Sequence, residues 1–172
     1  MAPVIARLAR VLDLATLGLN VAGSVLIVAI MALIGADVLG RGLFGAPVKG
    51  VPEMVTLSIV AIVFLQVPQA LRAGRLTQSD ALLKTLRARA PGAALLLETL
   101  FDAAAMGVMG VILWFTWPLF QRSWASGDFI GAVGEFTAPT WPVKLIICVG
   151  SLMLILQFAA RLLRLWGGER AA

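Results

Sequence analysis

The segment from Glu53 to Asp80 reads EMVTLSIVAIVFLQVPQALRAGRLTQSD and sets the architecture expected for the chain. It begins with a carboxylate, continues through an apolar run over about 53–72, and ends with two arginines before Asp80. Because a helix rises 1.5 Å per residue, about 20 apolar residues cross the ~30 Å hydrocarbon layer of a membrane. The segment therefore predicts a transmembrane helix with a basic end, in which Pro68 kinks or loosens the last turns.

The composition places the rest of the chain in the membrane as well. Of its 172 residues 60% are hydrophobic and 13% are charged, against roughly 25% charged in soluble proteins, and the mean hydropathy is +0.98. The net charge of +5 forms no basic stripe with interleaved aromatic residues, so we expect no binding to nucleic acid. With no histidine and one cysteine, the chain alone cannot form a disulfide, a His-ligated haem site or a Cys/His zinc site. We expect no cofactor or metal in this chain.

Three further apolar runs predict three more membrane helices, over about 14–38, 93–120 and 142–165. The first run follows a short basic start but is too long for the apolar part of a cleaved signal peptide, which has roughly 7–15 residues. The fold class expected is an all-α integral membrane protein, a single domain with four transmembrane helices.

A few small or polar residues inside these runs are candidates for helix packing. Gly18 and Gly23 would let another helix approach closely. Asn20 in the first run and Gln157 in the last are expected to make hydrogen bonds between helices.

The connection before Glu53 reads GLFGAPVKGVPE over residues 42–53, and its glycines and prolines predict a tight connector. Pro52 suits the first turn of the next helix, and Glu53 suits the positive end of its dipole. Glu53 is then either a helix-start charge at the membrane surface, or a carboxylate that faces a partner protein or carries protons.

Residues 79–90 predict an amphipathic helix in the plane of the lipid headgroups. Ser79 or Asp80 can cap it, and its leucines recur on one face while lysine and arginines occupy much of the rest. Membrane lipids, with anionic headgroups near these cations, are therefore an expected partner.

The third run contains Glu98 and Asp102, which share a helix face because they are four residues apart. Counting about 20 residues back from Phe120 places both carboxylates near the membrane surface, where they could pair with the basic helix over 79–90. A functional carboxylate pair is the alternative. Tryptophans near the other end indicate an aromatic belt, formed by Trp114, Trp117 and Trp124.

The distribution of basic residues predicts the orientation. Ten Lys and Arg residues lie in the N-terminus, the connection after the second span and the C-terminus, and four lie on the other side. Cytoplasmic segments carry the excess of positive charge, so both termini are expected in the cytoplasm. The chain contains no phosphate-binding GxxxxGK[ST] or GxGxxG pattern and no visible nucleophile with a positioned base. A non-enzymatic accessory subunit of a larger membrane protein is the remaining interpretation.

Several motifs resemble the small membrane subunit of tripartite ATP-independent periplasmic (TRAP) transporters, the DctQ-like family. The chain reads RGLFGAPVKGVPE over residues 41–53, ALR over 70–72, a W-P pair at the start of the last span and LQ near its end. The family positions that match it are Arg41, Pro47, Glu53, Pro68, Arg72, Asp80, Trp141 and Pro142. Many relatives read H-I-x-V-D where this chain has LTQSD over 76–80, so only the final Asp is retained.

The resemblance implies a scaffold in the bacterial inner membrane that binds and stabilises a large elevator-type permease, the DctM-like subunit. It implies sodium-coupled uptake of organic acids by that permease, and a periplasmic substrate-binding protein that this chain could help to dock. The eight matching positions are then candidates for the partner interface. Two alternatives are a membrane anchor for another complex, such as a redox complex, and a small oligomeric transporter that acts alone.

Overall fold

Four long helices make up most of the described chain. The computed structural model describes residues 2–74, 86, 88–132, 134 and 136–166, with side chains described from Arg10 onward. The helices and strands, in chain order, are α1 (Ala2–Phe44), α2 (Val51–Arg72), α3 (Pro91–Ser126), β1 (Phe129–Ala132), β2 (Phe136–Pro139) and α4 (Trp141–Trp166). Each of the four helices is long and apolar enough to cross a membrane.

Two of the helices are much longer than one membrane crossing. α1 has 43 residues and α3 has 36, so at 1.5 Å per residue they extend about 64 Å and 54 Å. Helix ends do not mark membrane boundaries, and the four predicted spans stay predictions. The predicted interfacial helix over 79–90 lies mostly outside the described residues. Within it Leu86 is helical and accepts a backbone hydrogen bond from Ala90 at 2.7 Å.

The helices are arranged as a row rather than a closed bundle. α1 packs on α2, α2 packs on α4, and α4 packs on α3, while α1 touches α4 over a smaller area. The order in space is therefore α1, α2, α4, α3. α1 and α3 form the two edges of the row and keep most of their apolar side chains exposed.

The contact between α2 and α4 is built around Pro68. Proline has no backbone N–H, so the carbonyl of Phe64, four residues earlier, loses its usual helical donor. Gly150 of α4 lies against this carbonyl, and a Cβ atom added at Gly150 would come within 2.5 Å of the Phe64 oxygen. Pro68 itself is fully buried. A small apolar cluster continues the contact toward α3, and comprises Leu71, Leu154 and Phe158 with Val67, Ala105, Met106 and Met109 against it.

The contact of α1 with its neighbours uses small and polar residues. Gly23 lies against Leu65 and Gln66 of α2, which confirms the close approach expected there. Gly18 faces no other part of the described chain. Gln157 of α4 donates a buried hydrogen bond to the Thr16 hydroxyl at 2.9 Å, as expected of a polar residue in a membrane helix. The expected bond of Asn20 stays a prediction.

We predict a measurable coupling between Thr16 and Gln157. In a double-mutant cycle with Thr16→Val and Gln157→Leu, the coupling should be about 0.6 kcal/mol and at most ~1.7 kcal/mol, the range found for such bonds in membranes. The cycle can be followed by chemical unfolding of the full chain in mixed micelles. A coupling of zero would show that the two side chains do not stabilise the fold through this bond.

A β-hairpin forms part of the connection before α4, between the predicted spans over 93–120 and 142–165. β1 and β2 pair antiparallel, with Phe129 opposite Pro139 and Ala132 opposite Phe136. The ring of Phe136 lies directly on Gly50, the residue that precedes α2, and leaves no room for a Cβ atom there. The hairpin thereby covers the start of α2 and joins two connections that are distant in sequence.

Candidate functional site

The candidate residues lie toward the two ends of the helices, along the direction of the helix axes, apart from the buried Pro68. The C-terminus of α1, the N-termini of α2 and α4 and the hairpin lie together at one of these ends, which we call the hairpin end. Five of the eight candidates lie at this hairpin end: Arg41, Pro47, Glu53, Trp141 and Pro142. Arg72 lies at the opposite end, and Asp80 is outside the described residues.

Asp37 organises the connector at the hairpin end. Its Oδ2 atom accepts a hydrogen bond from Arg41 Nε at 3.0 Å, and Arg41 Nη2 is 2.8 Å away. Its Oδ1 atom accepts a hydrogen bond from the backbone N–H of Val48 at 2.9 Å. Arg41 is therefore paired within the chain. Asp37 and Arg41 share a face of α1 because they are four residues apart, but no sequence signal pointed to Val48.

The start of α2 has the arrangement expected from the sequence. Pro52 is in the first turn, and Glu53 is the acidic residue of that turn, near the positive end of the helix dipole. Glu53 is half-buried, whereas Pro47 in the connector is exposed. Both remain candidates for contact with a partner.

A polar network around Asp128 fastens the end of α3 to the start of α4. The Ser126 hydroxyl donates to Asp128 Oδ1 at 2.7 Å, and Lys144 Nζ is 3.6 Å from Oδ2. The backbone N–H of Thr140 donates to the Asp128 carbonyl at 3.0 Å, and the Thr140 and Ser123 hydroxyls are 2.7 Å apart. The Ser126 hydrogen bond, together with the Lys144 ammonium, lowers the pKa of the Asp128 carboxyl. Asp128 is therefore ionised at neutral pH, and its carboxylate accepts from Ser126 and faces Lys144.

Aromatic rings line α3 beside this network. Trp141 meets Trp124 edge-on, with ring centroids 4.6 Å apart. Phe120 lies between Trp117 and Trp124, at centroid distances of 5.8 and 6.2 Å. Trp124 is 62% exposed, so the aromatic surface is open on its outer side. Trp141 and Pro142, the candidates at the start of α4, are half-buried beneath it.

At the opposite end Arg72 forms an ion pair within the chain. Its Nε atom lies 2.8 Å from Asp13 Oδ1 on α1, and both side chains are about one third exposed. The pair ties the end of α2 to α1. No sequence pattern pointed to Asp13, because helix pairing cannot be read from the sequence.

The two carboxylates of α3 are buried inside the chain. Glu98 is 3% exposed and Asp102 is 1% exposed. Arg161 Nε of α4 lies 3.4 Å from Asp102 Oδ2, an ion-pair distance without hydrogen-bond geometry. Their predicted depth near the membrane surface stays a prediction, and the described partner of Asp102 comes from the last helix.

No group of three or more Asp, Glu, Cys or His side chains is placed to hold a metal ion within the part of the chain that the structure describes. The features that stand out are instead two polar ends and two apolar edges. Such an arrangement can hold helices in register and present apolar surfaces to lipid or to other membrane helices.

Four apolar helices with polar links at both ends define a multi-pass membrane protein. Residues 30–168 match the family described as "Tripartite ATP-independent periplasmic transporters, DctQ component". This chain belongs to the DctQ family and is the small membrane component of a TRAP transporter. Members of the family work with a large membrane subunit, DctM, and a substrate-binding protein. Comparisons with curated proteins and with solved structures gave no significant match.

Proposed function

We propose that this chain is the scaffold subunit of a sodium-coupled TRAP transporter for organic acid uptake. It binds and stabilises the large elevator-type permease, the DctM-like subunit, in the bacterial inner membrane. The permease carries the solute and the sodium ions. The observation that carries the proposal is the family match over residues 30–168, combined with the exposed apolar side chains of α1 and α3 at the two edges of the row.

The open edges support a role in holding a larger neighbour. Apolar side chains cover both α1 and α3, and few of them pack inside the chain. In lipid there is no hydrophobic force between helices, so stable pairing depends on packing and hydrogen bonds. The chain makes such contacts between its own helices, and its edges remain available for another protein.

The proposed orientation has both termini in the cytoplasm and the hairpin end in the periplasm. The excess of Lys and Arg at the termini and after the second span supports it. The hairpin and the connector around Pro47 would then face the substrate-binding protein and help to dock it. The basic segment over 79–90 would lie on the cytoplasmic headgroups, where anionic lipid attracts its cations.

Co-expression with a tagged permease tests the proposal directly. The small chain should be retained with the permease in detergent, and vesicles should accumulate solute only when both membrane subunits, the binding protein and a sodium gradient are present. Uptake by this chain alone would instead show a small oligomeric transporter. Retention by an unrelated complex, with no binding to the permease, would indicate a membrane anchor.

If Glu53 and Arg72 contribute to the contact with the permease, replacing either one should weaken that contact. Glu53→Ala and Arg72→Ala should each lower the amount of chain retained by the permease, by up to about tenfold, equivalent to ~1.4 kcal/mol. Quantitative co-purification at constant expression gives the measurement.

Asp13→Asn is the matched control for Arg72, because it breaks the same ion pair from the other side. Equal losses from Arg72→Ala and Asp13→Asn would mean that Arg72 acts by positioning α2 on α1. Normal assembly and full uptake by both alanine variants would remove these two positions from the interface.

A further inference from the structure

The uncharged stretches of the helices fix the depth of the chain in the membrane. No charged residue occurs between Asp102 and Arg122 on α3, and at 1.5 Å per residue this stretch rises about 30 Å, the thickness of the hydrocarbon layer. The uncharged stretch of α2, from Glu53 to Arg72, rises about 28 Å. The hydrocarbon layer therefore needs the whole of each stretch.

The ion pairs at the end opposite the hairpin keep the layer from shifting toward that end. Arg72 and Asp13 are both about one third exposed, and the Arg161 side chain that faces Asp102 is 30% exposed. A layer displaced by two helical turns would place these charges in hydrocarbon, where each costs up to about 3 kcal/mol. Arg122 therefore lies at the edge of the hydrocarbon layer on the hairpin side.

Trp114 lies well inside this layer. It precedes Arg122 by eight residues, which is about 12 Å along the helix axis. Long side chains on a helix are directed toward its N-terminus, so helix geometry directs the indole away from the nearer membrane surface. Trp124, which follows Arg122, has instead the depth of an aromatic belt.

Trp114 has no partner among the residues that the structure describes. Its side chain is 78% exposed, it makes no hydrogen bond there, and it takes part in none of the ring contacts along α3. Val111 and Phe115 beside it are 57% and 65% exposed. We call Val111, Trp114 and Phe115 the Trp114 patch. It lies roughly 160° around α3 from the side of Asp102 and Ser123, which meets α4 and the residue before it.

An indole N–H in hydrocarbon needs an acceptor that lipid chains do not have. Leaving a polar group without a hydrogen bond in an apolar environment costs roughly 1–3 kcal/mol in proteins, and a buried Trp N–H usually finds a partner. Another transmembrane helix can supply a carbonyl, hydroxyl or amide oxygen. Tryptophan is also among the residue types that carry most of the binding energy in protein interfaces. Protein rather than lipid is therefore the cover that fits the Trp114 patch.

We infer that the Trp114 patch packs against a transmembrane helix of the large permease subunit, and that the indole N–H of Trp114 donates a hydrogen bond to an oxygen atom of that helix. This inference rests on the proposed function, in which the permease is the membrane partner of this chain. It assigns the α3 edge of the row to the permease. The Asp102–Arg161 pair and the contact between the Ser123 and Thr140 hydroxyls hold α3 at both ends, so the patch has a fixed support.

Co-purification with a tagged permease tests the inference. Trp114→Leu should lower retention about thirtyfold, equivalent to the ~2 kcal/mol of an interface hot spot. The matched control is Trp166→Leu, which removes a tryptophan that is 70% exposed at the other end of the helices and should leave retention unchanged. Unfolding of the isolated Trp114→Leu chain should match the wild type, since the exposed ring packs on little of the chain. Unchanged retention of Trp114→Leu would overturn the inference, whereas failure of the wild-type chain to bind the permease would contradict the proposed function instead.

Unnatural side chains at position 114 give a second readout. A benzophenone amino acid there should join this chain to the permease when the assembled transporter is illuminated, and adducts with phospholipid alone or with a second copy of this chain would overturn the inference. Naphthylalanine keeps a bicyclic ring but lacks the N–H, so retention should fall about threefold, equivalent to the ~0.6 kcal/mol found for hydrogen bonds in membranes. Retention equal to that of the wild type would overturn the hydrogen bond assigned to Trp114.

Discussion

Replacing Arg161 with leucine should destabilise the folded chain by about 3 kcal/mol, the lower end of the loss expected when one partner of a buried ion pair is removed, because Asp102 is buried whereas Arg161 is 30% exposed. The substitution leaves the Asp102 carboxylate, which is 1% exposed, without the guanidinium 3.4 Å away. Glu98 lies four residues from Asp102 on the same helix and is also buried, so it adds negative charge nearby. Denaturant unfolding of the full chain in mixed micelles measures the loss, with the five tryptophans as the fluorescent probe.

Two matched variants decide whether burial is the cause. Arg72→Leu breaks a shorter ion pair, but its carboxylate, Asp13, is 34% exposed where Asp102 is 1% exposed, so its loss should cost at most ~1 kcal/mol. The double variant Asp102→Leu with Arg161→Leu should recover part of the lost stability, because the buried Asp102 charge is removed together with its partner. A single Arg161→Leu variant as stable as Arg72→Leu would show that the buried pair does not hold α3 on α4.

Replacing Gly150 with leucine should separate α2 from α4 and cost at least the ~1–3 kcal/mol typical of overpacked cores. A Cβ atom at this position meets the backbone carbonyl of Phe64 at 2.5 Å. Backbone cannot rotate aside as a flexible side chain would, so the helices must move apart. The same unfolding measurement applies, and a fall in retention by the permease should accompany it.

Gly107→Leu is the control for this substitution. Gly107 is also a glycine inside a membrane helix, but no atom of the described chain lies within 4 Å of a Cβ atom there. Leucine favours the helix by up to about 1 kcal/mol relative to glycine, so Gly107→Leu should be neutral or stabilising. Equal destabilisation by both substitutions would mean that the Phe64 contact is not what requires glycine at position 150.

Hydropathy was sufficient to predict the four helices, because long apolar runs have few alternatives in a chain of this composition. The role of Gln157 was also predictable, since a carboxamide in an apolar run needs a hydrogen-bond partner. The lengths of α1 and α3 could not be predicted, because hydropathy identifies the apolar part of a helix and gives no information on its polar extensions.

The neighbours of each helix could not be read from the sequence. In a membrane helix both the packed face and the lipid face are apolar, so periodicity does not separate them. This is why Arg161 was not identified as the partner of Asp102: residue counting gives depth along the membrane, but it does not give direction around the helix. The hairpin was missed because its two strands have only four residues each.

The candidate interface residues illustrate the same limit. Family resemblance selected Arg41 and Arg72, and the structure places both in ion pairs inside the chain, with Asp37 and Asp13. Pro68 is buried between helices. These three residues shape the surface that a partner meets, whereas the exposed Pro47 and half-buried Glu53 can touch it directly.

The order of helices in the row has a consequence for biogenesis. α3 is synthesised before α4, yet α4 is its principal packing partner and supplies Arg161 for Asp102. A ribosome-bound chain that has inserted its first three helices would therefore hold α3 with an uncompensated acidic side chain until the last helix emerges. Insertion of the final segment, rather than the third, is expected to be the step at which the nascent polypeptide commits to its mature topology.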